Sequence, residues 1–402
     1  MEQQRSCSIC IAGAGPGGAL LGLLLAKAGI DVLVLEKAKD FNRDFRGESL
    51  SPDARKLLEV SGLKDYIDQH GFLESRRMDL YENGEVLLRM DIGSADVEGR
   101  SVIEFPQPVL LAAIVEAAKQ YPNFEIRMGV SGKELIQENG KVVGMVVGNS
   151  DESYEVRSKL VVAADGRYSK LRKLANLEAD IKPVARDVLW FTMPRPGNWQ
   201  AETRIKLVGD QQLILLPTYP DRLRAGINIP AGTYKQFRSG GIERLYAIVD
   251  ELEPDLKQVL REGVKGWNDV ALLDIFTAEV PQWSIDGLVL LGDAAHTITP
   301  IMGQGIKHAL FDARLISDVI IDSLRKQPEQ VILRSQLLAW ETQRQKDVAF
   351  TLGFQRRQER LFLLSGNGKT MFRRMFYRTL NKLGFAKRRL LQKIYFGGIK
   401  WI

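Results

Sequence analysis

The chain has 402 residues, 45% of them hydrophobic and 26% charged, with a net charge of +6 at neutral pH. That length holds two or three core-forming units of ordinary soluble composition, and two cysteines at one end, Cys7 and Cys10, exclude a disulfide framework and suit a reducing cytoplasm. From Arg360 onward there are eleven Lys and Arg and no acid, so the first 359 residues sum to −5 and a general nucleic-acid-binding surface is excluded.

The first elements read strand, turn, helix, strand. Ser8 to Ala12 is a short apolar strand, along which Cys7 and Cys10 read as small buried residues rather than as a redox pair. Ile9 to Leu25 is no secretory leader, because five glycines and a proline interrupt it. No segment reaches the ~18 unbroken apolar residues of a membrane-spanning helix. Gly13, Gly15 and Gly18 fall at G-x-G-x-x-G spacing, followed by a helix with Leu20, Leu21, Leu24 and Leu25 on one face. Val32, Val34 and Leu35 form a second buried strand ending in Glu36. Glycines in that pattern allow a tight turn and a close backbone approach to a pyrophosphate at a helix N-terminus. Glu36, 18 residues past Gly18, stands where a carboxylate accepts from ribose hydroxyls, which favours NAD or FAD over a 2′-phosphate.

The pattern then departs from a dehydrogenase. From Arg76 to Val147 it alternates as strands do, with Asn83-Gly84 and Asn139-Gly140 as hairpin turns and one helix from Pro108 to Gln120. No second glycine fingerprint appears, which sets aside the disulfide-reductase type of flavoenzyme. Leu160 to Ala163 is an apolar strand leading into Asp165-Gly166, and Leu288 to Leu291 leads into Gly292-Asp293. Asp165 alone also reads as a turn residue and helix cap. Both strand ends belong at the carboxyl edge of a parallel sheet, where open α/β folds bind ligands. No His-Glu cluster has metal-ligand spacing.

The glycine fingerprint, "AADGRYSKLR" and "LLGDAAH…P…GQG" together resemble the class A FAD-dependent monooxygenases, the para-hydroxybenzoate hydroxylase-like family, over residues 8 to 325. The resemblance implies an α/β fold: a Rossmann-like three-layer FAD-binding domain with an inserted β-sheet substrate domain and a helical C-terminal region. The corresponding division is 1–180 (with local hairpin insertions at 76–106), 181–280, 281–328 and 329–402. It also implies that Gly13, Gly15 and Gly18 cradle the FAD pyrophosphate and that Glu36 binds the adenosine ribose. Arg46 would lie along the cofactor, Gln107 would reach its phosphate and ribityl region, and Asp165 with Arg167 would serve FAD and NAD(P)H. Asp293 would bind the ribityl hydroxyls, and Gly305 would open a helix aimed at the flavin. No catalytic residue is assigned. Pro300 and Lys307 are candidates near the flavin, and Lys307 departs from the family, which has Met-Asn where this chain has Ile306-Lys307. His296 reads as structural.

The implied reaction is hydroxylation of an apolar, aromatic small molecule. NADH or NADPH reduces FAD, O2 adds at the flavin C4a position, and the distal oxygen of that hydroperoxide attacks an electron-rich ring. Trp190, Phe191, Leu215 and Tyr219 are candidates for the substrate pocket. Rival readings are a geranylgeranyl-type FAD reductase, a peripheral-membrane hydroxylase of a lipid or quinone-like substrate, and a non-catalytic flavin-binding protein. A halogenase would need a Trp-x-Trp-x-Ile-Pro segment that is absent. In the tail, Phe372, Phe376, Leu380 and Leu383 recur at helical spacing, with Arg374, Arg378 and Lys382 on another face. That pattern fits a helix docked on the body, an anionic membrane contact through 367–402, or both.

Overall fold

The computed structural model describes residues 5–41, 48–95, 99–398, 400 and 402. Arg46 and Trp401 lie outside them. The chain opens with β1 (Arg5–Ala12), α1 (Pro16–Lys27) and β2 (Val32–Glu36). α2 (Gln107–Lys119) and β3 (Phe124–Met128) come next in this layer, and after a hairpin β4 (Ser153–Ala163) and α3 (Lys170–Leu174). β1 lies between β4 and β2, with β3 beyond β2, all parallel. The fully buried face of α1 explains its apolar run: Leu20, Leu21 and Leu25 are shielded between this sheet and its neighbours.

The second sheet is built mainly of β5 (Arg186–Pro194), β6 (Gln211–Thr218) and β7 (Arg222–Pro230), paired antiparallel in the order β5-β7-β6. The chain then returns to the first sheet as β8 (Leu288–Leu290), parallel to β4. Three long helices and a shorter one follow: α4 (Gln304–Lys326), α5 (Arg334–Phe362), α6 (Asn367–Lys382) and α7 (Gly384–Tyr395). The fold class is the one the resemblance implied.

The sheet alternation has a consequence for side-chain direction. Leu189, Phe191 and Met193 of β5, Leu213 and Leu215 of β6, and Leu223, Ala225 and Ile227 of β7 share one face. That face is closed by three helices carrying Phe237, Leu245, Val249 and Leu260. The opposite face carries Val188, Trp190, Ile214 and Leu216. Period two allows no other division.

One assignment made from sequence is corrected. The strands Arg77–Glu82 and Glu85–Asp91 are not a local insertion in the first unit. Arg77–Glu82 pairs in parallel with Glu202–Val208, so the hairpin completes the second sheet. Its turn is the one anticipated, with Asn83 and Gly84 at φ 50° and 81°.

The tail docks on the body. Arg373 of α6 is fully buried, ion-paired with Glu82 and donating to the carbonyls of Phe362 and Leu364. Tyr377, Leu391, Ile394 and Tyr395 join an apolar cluster with Leu80, Leu88 and Met90 of the hairpin.

Candidate active site

Three parallel strands end level with one another. Ala12 pairs with Ala163, and Ala163 with Leu290, so Gly13, Ala164 and Leu291 leave one sheet edge side by side. Gly13 has φ 109°, and a Cβ there would lie 2.2 Å from the Ala164 carbonyl oxygen. A Cβ on Gly18 would meet the Gly13 carbonyl at 2.0 Å, so both glycines are demanded by packing. Gly15 differs: nothing lies within 4 Å of its Cβ position. It is the N-cap of α1 and offers no side-chain cap, so the helix start keeps backbone N–H groups facing open space.

Glu36 is buried at the tip of β2, where its carboxylate accepts from the backbone N–H of Ala14 (3.0 Å) and of Ala38 (2.9 Å). It ties the glycine loop to β2, and a carboxylate has acceptor positions beyond two such bonds. Gln107 is buried at the start of α2.

Asp165 behaves as the cap that its turn residues suggested. One oxygen accepts from Ser169 Oγ (2.5 Å), the other from the backbone N–H of Lys170 (2.8 Å) and Leu171 (3.1 Å). Arg167 reaches across the edge, its Nε 3.4 Å from Asp293 Oδ2 and its Nη1 donating to the Asp274 carbonyl (3.1 Å). Asp293 remains one-third exposed.

The turn bearing Asp293 is set by a residue that sequence reasoning missed. Asp312, inside α4, is fully buried and accepts from the Gly292 N–H (3.0 Å), His296 Nε2 (2.6 Å) and Arg344 Nε of α5 (2.7 Å). Burial alone would push this carboxyl up, but His296, the Arg344 guanidinium and the hydrogen bonds from both hold it well below the usual range. His296 is therefore structural. His308 is buried beside Arg344, and desolvation first, then that cation, depress its pKa; it bridges Arg344 and Thr351 as a neutral ring.

Pro300 begins the turn into α4, where Met302 and Gly303 both adopt left-handed φ, 64° and 63°. A non-glycine residue in that region stores strain, and here Gln355 of α5 holds the turn by donating to the Thr299 (2.9 Å) and Ile301 (2.8 Å) carbonyls. The Cβ position of Gly305 faces open space at the helix start. Lys307 does not point at this opening, contrary to the expectation. Its ammonium is buried, 2.8 Å from Asp53 and donating to the Ile394 carbonyl (2.6 Å), so it anchors α7 instead. Asp53 also accepts from the Gly398 N–H at 2.9 Å.

Of the four pocket candidates, Trp190 alone lies on the inner face of the second sheet. Phe191 and Leu215 are corrected: both are wholly buried in the helix-covered core behind it. Tyr219 packs its hydroxyl against Gly71, where a Cβ would come within 2.5 Å.

The inner face also holds a charged group. Arg224 of β7 is buried with its guanidinium 5.4 Å from the Trp190 ring centre and 3.5 Å from Glu48. Next to Glu48, Ser49 Oγ donates to Glu104 at 2.8 Å, and Ser49 lies beside Gly303. Glu104 is buried, and desolvation pushes its pKa up to about 7 despite Arg224 and the Ser49 hydroxyl. The sequence signal was present: in "RLRAGINIP" the arginine alternates with Leu223 and Ala225, which fixes it on the other face.

Residues 6–336 match the family model described as FAD binding domain. The chain belongs to this family. It is 31% identical over 319 residues to 6-methylpretetramide 4-monooxygenase of Streptomyces rimosus, covering 79% of this chain and 76% of that protein. It is 25% identical over 327 residues to digeranylgeranylglycerophospholipid reductase 2 of Methanococcoides burtonii, covering 79% and 75%. Its fold is that of p-nitrophenol 4-monooxygenase PnpA of Pseudomonas putida, with a TM-score of 0.82 at 20% identity over 98% and 99% of the two chains. The protein is an FAD-dependent monooxygenase, of a family in which NAD(P)H is the usual reductant. The strand-end residues fit FAD: a close-packed glycine loop with one open position, N–H groups at a helix start, and a partly exposed carboxylate on the same edge.

Two outcomes follow. Asp293→Ala should retain the fold but bind FAD about 10- to 100-fold more weakly, the loss of one or two charge-assisted hydrogen bonds. Asp312→Ala should lower folding stability by about 3 kcal/mol, because it leaves buried Arg344 with only the partly exposed Asp347 and unpairs the Gly292 N–H; flavin occupancy and urea denaturation distinguish the two. Glu104 predicts a pH effect. Its folded pKa lies above the ordinary 4.5, so the unfolded chain loses this proton first and stability falls as pH rises from about 4.5 to 7. Glu104→Gln should remove roughly 3 kcal/mol of that fall, read as a smaller drop in Tm across this window.

Proposed function

We propose that this monooxygenase hydroxylates an apolar aromatic small molecule, with NADH or NADPH as reductant, in the space between the strand-end edge and the inner face of the second sheet. The observation that carries the reading is the placement of Trp190 and Leu216 on the sheet face opposite the one closed by Phe237, Leu245, Val249 and Leu260, with Arg224 against the Trp190 ring and paired to Glu48, whose neighbour Ser49 lies beside Gly303. In this reading 1–180 and 281–328 form the flavin lobe, and 181–280 with the hairpin at 77–91 forms the substrate lobe.

When bound, FAD supplies electron transfer from NAD(P)H to O2 and of one oxygen atom to the ring. Gly13, Gly15 and Gly18 with the α1 N-terminus would hold the pyrophosphate, and Glu36 the adenosine ribose. Gln107 and Asp293 would hold the middle of the cofactor. Arg167, on the outer side of the Asp293 turn, would meet the reductant. The start of α4 at Gly305 would stabilise negative charge through its N–H groups and dipole. Asp165 acts by positioning α3. Arg46 keeps its proposed place along the cofactor by resemblance alone.

A reductase is the second reading, favoured by the similarity to the digeranylgeranylglycerophospholipid enzyme. Molecules copurifying with the yellow protein supply the test substrate. Incubation with NAD(P)H and isotopically heavy O2 should place one heavy oxygen in the product; a reduced, unlabelled product would identify a reductase instead.

We place the enzyme in the cytoplasm, with its tail in contact with an anionic membrane surface. No helix among the described residues is long and apolar enough to cross a membrane. Met371, Phe372, Met375, Phe376, Leu383 and Phe385 are all exposed on the outer side of α6 and the start of α7. This side is opposite the one that buries Arg373 and Tyr377, so docking on the body and membrane contact are compatible. The surrounding chain from Arg360 carries no acid, and each cation near an anionic surface contributes about 1 kcal/mol. The full chain should pellet with anionic but not neutral vesicles, and Phe372→Ser with Phe376→Ser should abolish this. Absence of pelleting at low salt would leave the stripe to a second protein copy.

A further inference from the structure

The substrate side of a hydroxylase must decide what charge its ring may carry, and this chain has an unusual set of groups there. Arg224 is a permanent cation on the inner sheet face, above the Trp190 ring. A lone buried guanidinium would select an aryl carboxylate, which it can bind through two parallel hydrogen bonds. Here that role is already taken. Glu48 lies 3.5 Å from Arg224 and is also hydrogen-bonded by Thr218 of β6. Behind Ser49, Glu104 is close enough to interact electrostatically with both Arg224 and Glu48.

We propose that Glu48 and Glu104 neutralise Arg224 and so make the pocket selective for a neutral ring bearing a hydroxyl or amino group, against an aryl carboxylate. The proposal rests on the inner sheet face being the substrate side. Its physical basis is a charge count. Among the described residues one cation faces two carboxyl groups, so these three groups sum to zero when Glu104 keeps its proton and to one negative charge when it does not. An incoming carboxylate would add a further negative charge in a site shielded from water. It would also compete with Glu48 for Arg224, leaving that carboxylate less well compensated. A hydroxyl or amino group faces neither penalty, because it donates to a carboxylate and adds no negative charge. Ser49 and Glu48 are partly exposed whereas Glu104 is buried, so substrate meets the first two and feels the third through them. Among the described residues Tyr395 of α7 also interacts with Glu104; burial raises its pKa, and it stays neutral across the working range.

The test uses the FAD-loaded full chain and three ring probes of similar size: phenol, aniline and benzoate. Binding is read from the perturbation of the flavin visible spectrum. Phenol and aniline should bind at least about tenfold more tightly than benzoate, and Glu48→Gln should shrink that ratio about tenfold, mostly through tighter benzoate binding. Should Glu48→Gln fail to hold FAD, Glu104→Gln is measured instead and should shift the ratio in the same direction. Equal affinities in the unmodified protein, or a ratio unmoved by the substitution, would overturn the proposal. So would a flavin that responds to none of the probes. Failure of the hydroxylase reading itself shows separately, as heavy oxygen absent from the product while the probe ratio still holds.

Discussion

The geometry of the sheet edge depends on one buried carboxylate. Asp312 joins the Gly292 N–H, the His296 ring and the Arg344 guanidinium, and so ties a strand-end turn to two long helices. Desolvation opposes its ionisation and the His296 and Arg344 partners favour it; the partners prevail. An ionised group held by three donors has little freedom to move, and Gly292, at φ 60°, has the backbone conformation that lets its N–H face inward. Asp293 is therefore aimed outward by a network on its neighbour. The same helix α5 contributes Gln355 to the strained turn before α4 and Glu341 to the backbone N–H of Trp283. Through these contacts α5 packs against the strand-end turns, although its sequence distance from β1 suggests a separate C-terminal region.

The tail repeats this logic with different groups. Lys307, Asp53 and the Gly398 N–H form a second buried junction, which brings α7 against the start of α4. Arg373 does the same for α6 against the hairpin of the second sheet. Each junction satisfies a charge that would be costly to bury alone. Together they tie the C-terminal helices both to the start of α4 and to the hairpin of the second sheet, with one face of α6 committed to the body and the other turned to solvent.

These devices explain what the sequence could and could not tell. The strand-end motifs were legible because each is local: a strand, a turn residue and a helix start lie within a few positions of Gly13, Asp165 and Asp293. The hairpin turns at Asn83 and Asn139 were legible for the same reason. The partner of strand Arg77–Glu82 was not, since its parallel pairing crosses more than a hundred residues and leaves no local mark. Nor was the direction of Lys307, which is decided by a carboxylate on another helix. Phe191 and Leu215 were misplaced for a subtler reason: Leu215 of β6 lies between Ile214 and Leu216, and Phe191 of β5 sits in the run Val188 to Phe191, so composition does not say which face is which. The ambiguity lifts only where a polar residue breaks the run, as Arg224 does in β7.

That alternation also limits how the pocket can change. Trp190 is paired with Gly226, and a Cβ at Gly226 would come within 2.8 Å of the indole ring. The glycine is what lets the ring lie flat against the sheet next to Arg224. A one-residue slip of β7 would turn Arg224 into the helix-covered core and bring Ala225 beneath the indole, so pocket charge and pocket floor are set by the same register. The charge can then be altered with the register kept only from outside the sheet. Glu48 and Glu104 are placed for that: Glu104 lies on a separate small sheet, and Glu48 directly precedes the strand paired with it and reaches Arg224. Shape and charge preference in this site thus come from different layers of the fold, the first fixed by strand register and the second by the groups packed against it.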